Sequence, residues 1–84
     1  MYWDVTDVQV VGDHALGVAF QDGVKGVVRF ESSFFRGVFS PLIDMERFKE
    51  VGISHGVVTW PGELDLAPDA MHRQLKEHGE WVLA

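Results

Sequence analysis

Four histidines are the residues of this chain best suited to binding a metal or moving a proton: His14, His55, His72 and His78. His14 and His55 fall in predicted turns, while His72 and His78 are six residues apart on one predicted helix and do not share a face. A zinc site needs three or four convergent ligands, often with two histidines at i and i+4. The spacing therefore predicts no metal site. We expect His14 and His55 to be solvated turn residues and His78 to interact with the C-terminal dipole of its helix.

Serine residues could provide a nucleophile, and the chain has four of them: Ser32, Ser33, Ser40 and Ser54. Histidines and acidic residues accompany them, so composition alone permits a Ser-His-Asp arrangement. No strand-to-helix nucleophile elbow is predicted around any of them, and 84 residues offer little volume for a pocket that excludes water. The chain has no cysteine, which removes thiolate nucleophiles and disulfides. We therefore predict a protein that is not an enzyme, with no catalytic residue and no cofactor.

The excess of acidic over basic residues limits the kinds of molecule that this chain could bind. Thirteen Asp and Glu against seven Lys and Arg give a net charge of −6, and the basic residues are scattered rather than clustered as phosphate binding requires. The longest apolar run, Ala15–Phe20, is far shorter than the roughly 20 residues that cross a bilayer. The absence of cysteine fits a reducing compartment. We expect a cytoplasmic protein that binds neither a membrane nor nucleic acid directly, and whose charge would attract a basic protein.

Length and composition indicate one domain over residues 1–84. The chain is 46% hydrophobic and 12% aromatic, which supplies large buried areas to a core of modest size. Strand-like segments fill the first half, and helical patterns occur in the second half. We therefore predict an α+β fold, with a mainly antiparallel sheet of about five strands in two hairpins and two short helices.

Three strands are predicted in the first half of the chain. Trp3–Val11, Ala15–Phe20 and Val24–Phe30 are rich in β-branched and aromatic residues. Gly12-Asp13-His14 is the predicted turn between the first two strands. A change of apolar phase across Asp7 predicts a bulge in the first strand.

The loop Gln21-Asp22-Gly23 decides the register of the next hairpin. A two-residue loop would mix apolar and charged side chains on each face, whereas a three-residue loop with a left-handed Gly23 opposes Phe20 to Val24. The second register gathers large apolar side chains on one face: Leu16, Val18, Phe20, Val24, Val28 and Phe30. It leaves Lys25, Val27 and Arg29 on the other face. We therefore predict the three-residue loop.

The middle of the chain has weaker signals. Residues Glu31–Ser40 predict either a single helical turn capped by Ser32 or Ser33, or an irregular loop. Asp44 is the predicted N-cap of a helix of about two turns over Met45–Val51, whose apolar residues recur at helical spacing.

A second hairpin and a second helix follow. Ile53-Ser54 and Val57–Trp60 flank His55-Gly56, and Pro61-Gly62 ends the hairpin with residues typical of turns. The helix is predicted to begin at Pro68 and to end at Gly79. Its predicted apolar stripe consists of Ala67, Ala70, Met71, Leu75 and His78. Glu80–Ala84 is predicted to be a short tail.

Aromatic residues are more numerous than a small core needs. Trp60 is the predicted core residue of the second hairpin, whereas Phe34, Phe35 and Trp81 lie at the edges of predicted elements. An exposed aromatic patch usually marks a contact with a partner. We therefore predict Phe34, Phe35 and Trp81 as partner-contact residues, and the alternative is that each of them is buried in the core.

Three segments together resemble a known family. They are Phe20-Gln21-Asp22-Gly23, then Phe39-Ser40-Pro41-Leu42-Ile43-Asp44 followed by Phe48, then Trp60-Pro61 and Asp65-Leu66-Ala67-Pro68-Asp69. The order F-x-D-G, P-L-x-D and W-P-x-G-x-D-L-x-P resembles the small bacterial family catalogued as domain of unknown function 2442. One departure is that the family's glycine two residues before the last motif's Asp is Glu63 here, with a glycine one place earlier at Gly62. The residues that carry the resemblance are Phe20, Asp22, Gly23, Pro41, Leu42, Asp44, Phe48, Trp60, Pro61, Asp65 and Pro68.

The resemblance implies a fold more than an activity, because these residues are of the types found in turns, caps and cores. It implies an α+β domain with no established catalytic residues and no defined cofactor. Some members are fused to a helix-turn-helix domain, and others look like the partner of a small protein encoded next door, as in toxin–antitoxin pairs. Our leading hypothesis is a non-enzymatic protein-binding module, the antitoxin-like or regulatory partner of a basic neighbouring protein. The alternative is a small-ligand sensor or regulatory domain, and an uncharacterised small enzyme is third. The sequence leaves the oligomeric state open.

Overall fold

Seven strands, two α-helices and two 3-10 segments make up the fold, in a computed structural model that describes residues 3–84. The strands are β1 Val5–Gly12, β2 Ala15–Phe20, β3 Lys25–Phe30, β4 Gly52–Ser54, β5 Val57–Trp60, β6 Leu64–Asp65 and β7 Glu80–Leu83. The helices are α1 Met45–Phe48 and α2 Pro68–His78, and the 3-10 segments are Ser32–Phe34 and Gly37–Ile43. The fold is α+β, as predicted.

The larger sheet has the strand order β1-β2-β3-β7. Its first three strands are antiparallel neighbours, but β7 pairs with β3 in parallel, with Val28 opposite Trp81 and Phe30 opposite Leu83. The prediction of a short tail over Glu80–Ala84 is therefore wrong. Helix α2 returns the chain to the far side of β3, and parallel pairing of this kind depends on that crossover rather than on the local sequence.

The register of the β2–β3 hairpin is the predicted one. Leu16 lies opposite Val28 and Val18 lies opposite Gly26. The amide of Phe20 donates to the carbonyl of Val24 at 2.8 Å, and Gly23 has a φ of 93°, which only glycine adopts without steric cost. In β1, a register shift between Val5 and Asp7 confirms the predicted bulge.

The smaller sheet has the order β4-β5-β6 and contains the second predicted hairpin. His55 and Gly56 both have positive φ, at 53° and 76°, as a two-residue turn matching strand twist requires. Strand β6 was not predicted, because it has only two residues. The amide of Val5 donates to the carbonyl of Gly56 at 2.9 Å and so joins the two sheets.

The middle of the chain differs in detail from the predictions. The first 3-10 segment has Glu31 at its N-cap with no side-chain hydrogen bond, so the prediction of Ser32 or Ser33 as a cap is wrong. Asp44 caps α1 as predicted, since its carboxylate accepts from the Glu46 amide at 3.0 Å. The predicted helix Met45–Val51 is too long. It ends at Phe48, where the chain tightens into three-residue turns before β4.

Helix α2 begins at Pro68 and ends at Gly79, whose φ of 72° is the left-handed cap that was predicted. Its predicted apolar stripe is partly wrong. Met71 and Leu75 are buried in the core, but Ala67 and His78 are exposed, and His72 is buried instead. Helix α2 packs against β3 and β7 on one side and therefore buries a narrower face than a five-residue stripe requires.

The core lies between the inner face of the larger sheet, α2, α1 and the smaller sheet. Its most fully buried side chains are Phe48, Leu16, Leu42, Met71, Val28 and Val58. Trp60 is buried among them as predicted, and its indole Nε1 donates to the Phe48 carbonyl at 2.8 Å. No helix among residues 3–84 has the length and apolar character needed to cross a membrane.

Candidate functional site

The aromatics predicted to contact a partner belong mainly to the core. Phe35 is only 7% exposed, so the prediction that it lies on a contact surface is wrong. Phe34 and Trp81 are half-buried and pack against the core. Phe30 explains two of these placements, because its ring lies 5.5 Å from that of Phe34 and 5.9 Å from that of Phe35. The rings of Phe30, Phe34 and Phe35 form one aromatic cluster, which the positions of Phe34 and Phe35 at the edges of predicted elements do not indicate.

The exposed apolar side chains in this part of the chain are aliphatic rather than aromatic. Val38 is 71% exposed, and Ile43 on the same 3-10 segment is also exposed. The segment turns with about three residues per turn and directs Leu42 into the core, which leaves Val38 and Ile43 outside. Pro41 within the segment fixes the local backbone.

A groove of about 270 Å³ opens beside Val38. The second 3-10 segment, α1 and the turn between β5 and β6 form its walls. Its lining residues are Val38, Pro41, Leu42, Arg47, Glu50, Trp60, Pro61, Gly62 and Leu64. We call this feature the proline groove, because Pro41 and Pro61 stand on its two sides. Four residues that carry the family resemblance therefore meet here: Pro41, Leu42, Trp60 and Pro61.

Local backbone geometry keeps the walls of the proline groove in place. Gly62 and Glu63 both have positive φ, at 93° and 64°, so the chain reverses within three residues and pairs Leu64 with Trp60. The departure from the family pattern is thus a left-handed Glu63 where a glycine would be unstrained. The indole bond from Trp60 to the Phe48 carbonyl joins this turn to α1 on the other side of the groove.

Two opposite charges flank the proline groove. Arg47 and Glu50 lie on its α1 side, and within residues 3–84 neither side chain makes an ion pair or a hydrogen bond. Both can therefore bond to a partner without breaking an existing contact. The groove combines apolar walls with an available donor and an available acceptor, a combination typical of peptide and protein contacts.

A hydrogen bond between His72 and Asp22 joins the β2–β3 hairpin to α2. His72 is 5% exposed, and its Nε2 donates to Oδ2 of Asp22 at 2.8 Å. This hydrogen bond, followed by one from the Val24 amide at 3.1 Å, holds the pKa of Asp22 below its ordinary value of 3.8. The Phe20 ring meets the imidazole edge-on at 5.0 Å. Asp22 in the F-x-D-G segment thus fixes both its own turn and the position of the helix.

A second, larger cavity of about 570 Å³ lies next to this pair. It is lined by Trp3, Asp69, His72, Arg73, Lys76 and Glu77. One aromatic ring and side chains of both charge signs could hold a small polar molecule there. We call it the α2 cavity.

The other histidines are dispersed. His14 is half-buried rather than a solvated turn residue, so that prediction is wrong: its Nε2 donates to the Leu42 carbonyl at 3.0 Å. Its ring lies between those of Phe35 and Phe48, at 4.8 and 5.0 Å. His55 and His78 are exposed. Among the described residues, 3–84, no three histidine or acidic side chains are grouped as a metal site would require.

Ser54 lies in a segment whose pattern is typical of a nucleophilic serine. Residues 52–56 read G-x-S-x-G, and the Ser54 hydroxyl lies 3.1 Å from Nδ1 of His55. The structure places this segment on the β4–β5 hairpin and not on a strand-to-helix elbow. No carboxylate among residues 3–84 lies within ion-pair distance of His55, so no acid orients the ring as in a catalytic triad.

Comparison with known proteins gives one result. A family model described as "Protein of unknown function (DUF2442)" matches residues 5–77. The matched range extends from β1 almost to the end of α2, and it includes both sides of the proline groove. No curated protein and no solved structure matches the chain.

Proposed function

The chain belongs to the DUF2442 family, whose function is unknown, and from that premise we propose that it is a non-enzymatic protein-binding module. The contact surface is the proline groove. The partner inserts an apolar side chain between Pro41 and Pro61, and polar groups beside that side chain bond to Arg47 and Glu50.

The single observation that carries this proposal is the exposure of Val38 at the mouth of a groove with a rigid floor. Burying an exposed valine against a partner is favourable by about 1.5 kcal/mol or more. Leu42 and Trp60 beneath it are packed in the core, so the groove is formed before the partner arrives. A preformed apolar site with polar groups at its rim is what a protein contact needs.

Net charge supports a basic partner. A chain of charge −6 attracts a cationic protein, which raises the association rate. Apolar contacts in the groove determine how slowly the complex dissociates. This behaviour suits the antitoxin-like or regulatory partner of a small basic protein encoded nearby, acting in the reducing cytoplasm.

The test is co-expression and co-purification with the product of the adjacent gene, followed by binding kinetics. Val38→Ala should speed dissociation about tenfold, while raising the salt from 50 to 500 mM should slow association and leave dissociation nearly unchanged. Val11→Ala is the matched control, because Val11 is also exposed but lies on the larger sheet. Equal effects of the two substitutions, or no complex at all, would contradict the proposal.

The α2 cavity favours a second candidate, a small-ligand sensor. Its volume of about 570 Å³ falls within the range of ordinary ligand sites. A ligand that binds there would raise the melting temperature of the isolated chain. A screen of small polar molecules by thermal shift, with Arg73→Ala as the variant that abolishes any shift, separates this candidate from the protein-binding one.

A further inference from the structure

We propose that the outer face of the larger sheet binds the same face of a second copy, with a two-fold axis parallel to β2. This interface is separate from the proline groove. It makes the protein a dimer whose two grooves remain accessible.

The outer face is an uncovered sheet surface. Both helices and the smaller sheet belong to the inner side, and no element among residues 3–84 packs on the outer one. A shallow cleft of about 400 Å³ follows this face, and the side chains of Asp7, Gln9, Val11, Lys25 and Val27 line it. Val11 is 54% exposed, and Val82 on the neighbouring β7 is 47% exposed. The face therefore presents apolar area that solvent covers in the monomer.

The middle strand lets a second sheet approach closely. Gly17 and Ala19 are half-buried outward residues of β2, with larger side chains on both neighbouring strands, whereas Ala15 in the same register is only 3% exposed. The Val11 side chain lies over Gly17, since a Cβ added to Gly17 would lie 3.0 Å from Cγ1 of Val11. Stacked sheets normally lie about 10 Å apart, and small central residues with larger flanks allow the side chains of two faces to interlock at that spacing.

The charge of the outer face favours a second copy of this chain as the molecule that binds it. The face carries two acidic residues, Asp7 and Glu80, and two basic residues, Lys25 and Arg29, so it is neutral on a chain of net charge −6. Arg29 and Glu80 already pair with each other. A strongly basic protein or a nucleic acid gains nothing from a neutral face, whereas two acidic copies repel least where their surfaces are neutral.

The register makes the face complementary to itself. Ala19 lies between Asp7 on β1 and Lys25 on β3 in one row across the sheet. Neighbouring strands are about 4.8 Å apart, so Asp7 and Lys25 are equally distant from β2. A 180° rotation about an axis that is parallel to β2 and midway between the two stacked faces therefore places Asp7 of each copy over Lys25 of the other. Lys25 makes no ion pair within residues 3–84, so this contact is available to it.

Sedimentation equilibrium of the full chain tests the proposal. We expect a dimer whose dissociation constant rises about tenfold or more in Lys25→Asp and in Asp7→Lys, because each reversal creates two like-charge contacts per dimer. The double variant Asp7→Lys/Lys25→Asp should return to within about threefold of the original value, since it restores both pairs in reverse. Val38→Glu is the control and should leave the dimer intact while removing partner binding.

Carbodiimide cross-linking of the unaltered chain gives an independent readout that does not depend on the folding of any variant. Mixed 14N- and 15N-labelled copies should yield an intermolecular amide between Asp7 and Lys25. A chain that stays monomeric up to about 1 mM, or a dimer that lacks this cross-link or that the double reversal does not restore, overturns the proposal. Loss of partner binding by Val38→Glu with the dimer retained would show that the two surfaces act separately.

Discussion

Asp22 shows how one side chain can connect distant parts of this molecule. Its carboxylate accepts one hydrogen bond from the Val24 amide in its own turn and another from His72, fifty residues away on α2. A turn aspartate usually satisfies only nearby backbone groups. Here the same residue also accepts a hydrogen bond from the buried imidazole, and hydrogen bonding offsets the cost of burying a polar ring.

We expect Asp22→Asn to destabilise the fold at neutral pH, with a loss that shrinks in acid. The pKa of Asp22 is lowered in the folded state, so its contribution to the free energy of unfolding is complete above its unfolded pKa of about 4. That contribution is lost as the pH falls through the lower folded pKa. Urea unfolding between pH 7 and pH 2 should show the wild type and the variant converging below pH 4.

Asp65→Asn provides the control for this titration. Asp65 is exposed, and its side chain makes no ion pair with another residue among 3–84. Its substitution should shift the free energy of unfolding little, and by a similar amount at every pH. A gap between Asp22→Asn and wild type that stays constant down to pH 2 would show that the carboxylate does not stabilise the fold through its charge.

Trp60 combines packing with one polar contact, and two substitutions separate the contributions. Trp60→Ala removes a buried indole and should cost roughly 3–5 kcal/mol, which is enough to unfold a domain of this size. Trp60→Phe keeps a ring in the core but removes the indole hydrogen bond, so the Phe48 carbonyl keeps only the longer bond from the Val51 amide at 3.3 Å; the lost bond and the smaller ring together should cost about 1–3 kcal/mol. Denaturation midpoints measure both. A stable Trp60→Ala variant would mean that Trp60 is not a core anchor.

At the scale of elements, the close approach of α2 to β3 determines the architecture. A Cβ added to Gly26 would overlap the carbonyl of Gly79, the residue that ends α2, and would lie 3.0 Å from Leu75. The amide of Val27 donates to the same Gly79 carbonyl at 3.1 Å. The left-handed Gly79 therefore ends the helix where the next residues can enter the sheet beside β3.

We expect Gly26→Ala to destabilise the fold by about 2 kcal/mol or more, because the end of α2 must move away from β3. Gly52→Ala is the matched control: no atom lies within 4 Å of its added Cβ, so its effect should stay within about 0.5 kcal/mol. Chemical denaturation compares the two substitutions. A Gly26→Ala variant as stable as Gly52→Ala would be inconsistent with this packing.

At the scale of the whole molecule, β7 completes the larger sheet and covers part of the core. Trp81 and Leu83 face inward opposite Val28 and Phe30, and the amide of Glu31 donates to the Leu83 carbonyl at 2.8 Å. The last strand in sequence thus lies next to the third. Its contacts join residues more than fifty apart in sequence, so completion of the sheet depends on a long-range crossover.

We predict that deleting residues 80–84 lowers the free energy of unfolding by roughly 3 kcal/mol or more, since two half-buried apolar side chains and the β3–β7 hydrogen bonds are lost together. Deleting Ala84 alone should have almost no effect, because it is exposed and outside the strand. Circular dichroism during urea unfolding distinguishes the two truncations. If the two truncated chains had equal free energies of unfolding, β7 would not contribute to the stability of the sheet.

Features that depend on neighbouring residues could be predicted from the sequence. The three-residue hairpin followed from which side chains share a face, the N-cap at Asp44 from its hydrogen-bonding carboxylate, and the ends of α2 from Pro68 and Gly79. The family, the α+β class and the burial of Trp60 were also predicted correctly. Each of these signals spans a few residues, within which chain geometry leaves only a few arrangements.

Tertiary structure alone decided the features that depend on distant segments. The parallel pairing of β7, the burial of Phe35 and His72, and the bond from His72 to Asp22 all required segments far apart in sequence to pack together. The same holds for the candidate surfaces, because the proline groove joins Pro41 to Pro61 and the outer face joins Asp7 to Lys25 across β2. Burial depends on the total apolar area that a packing arrangement removes from water, and a local pattern carries no information about which distant side chain will provide the cover.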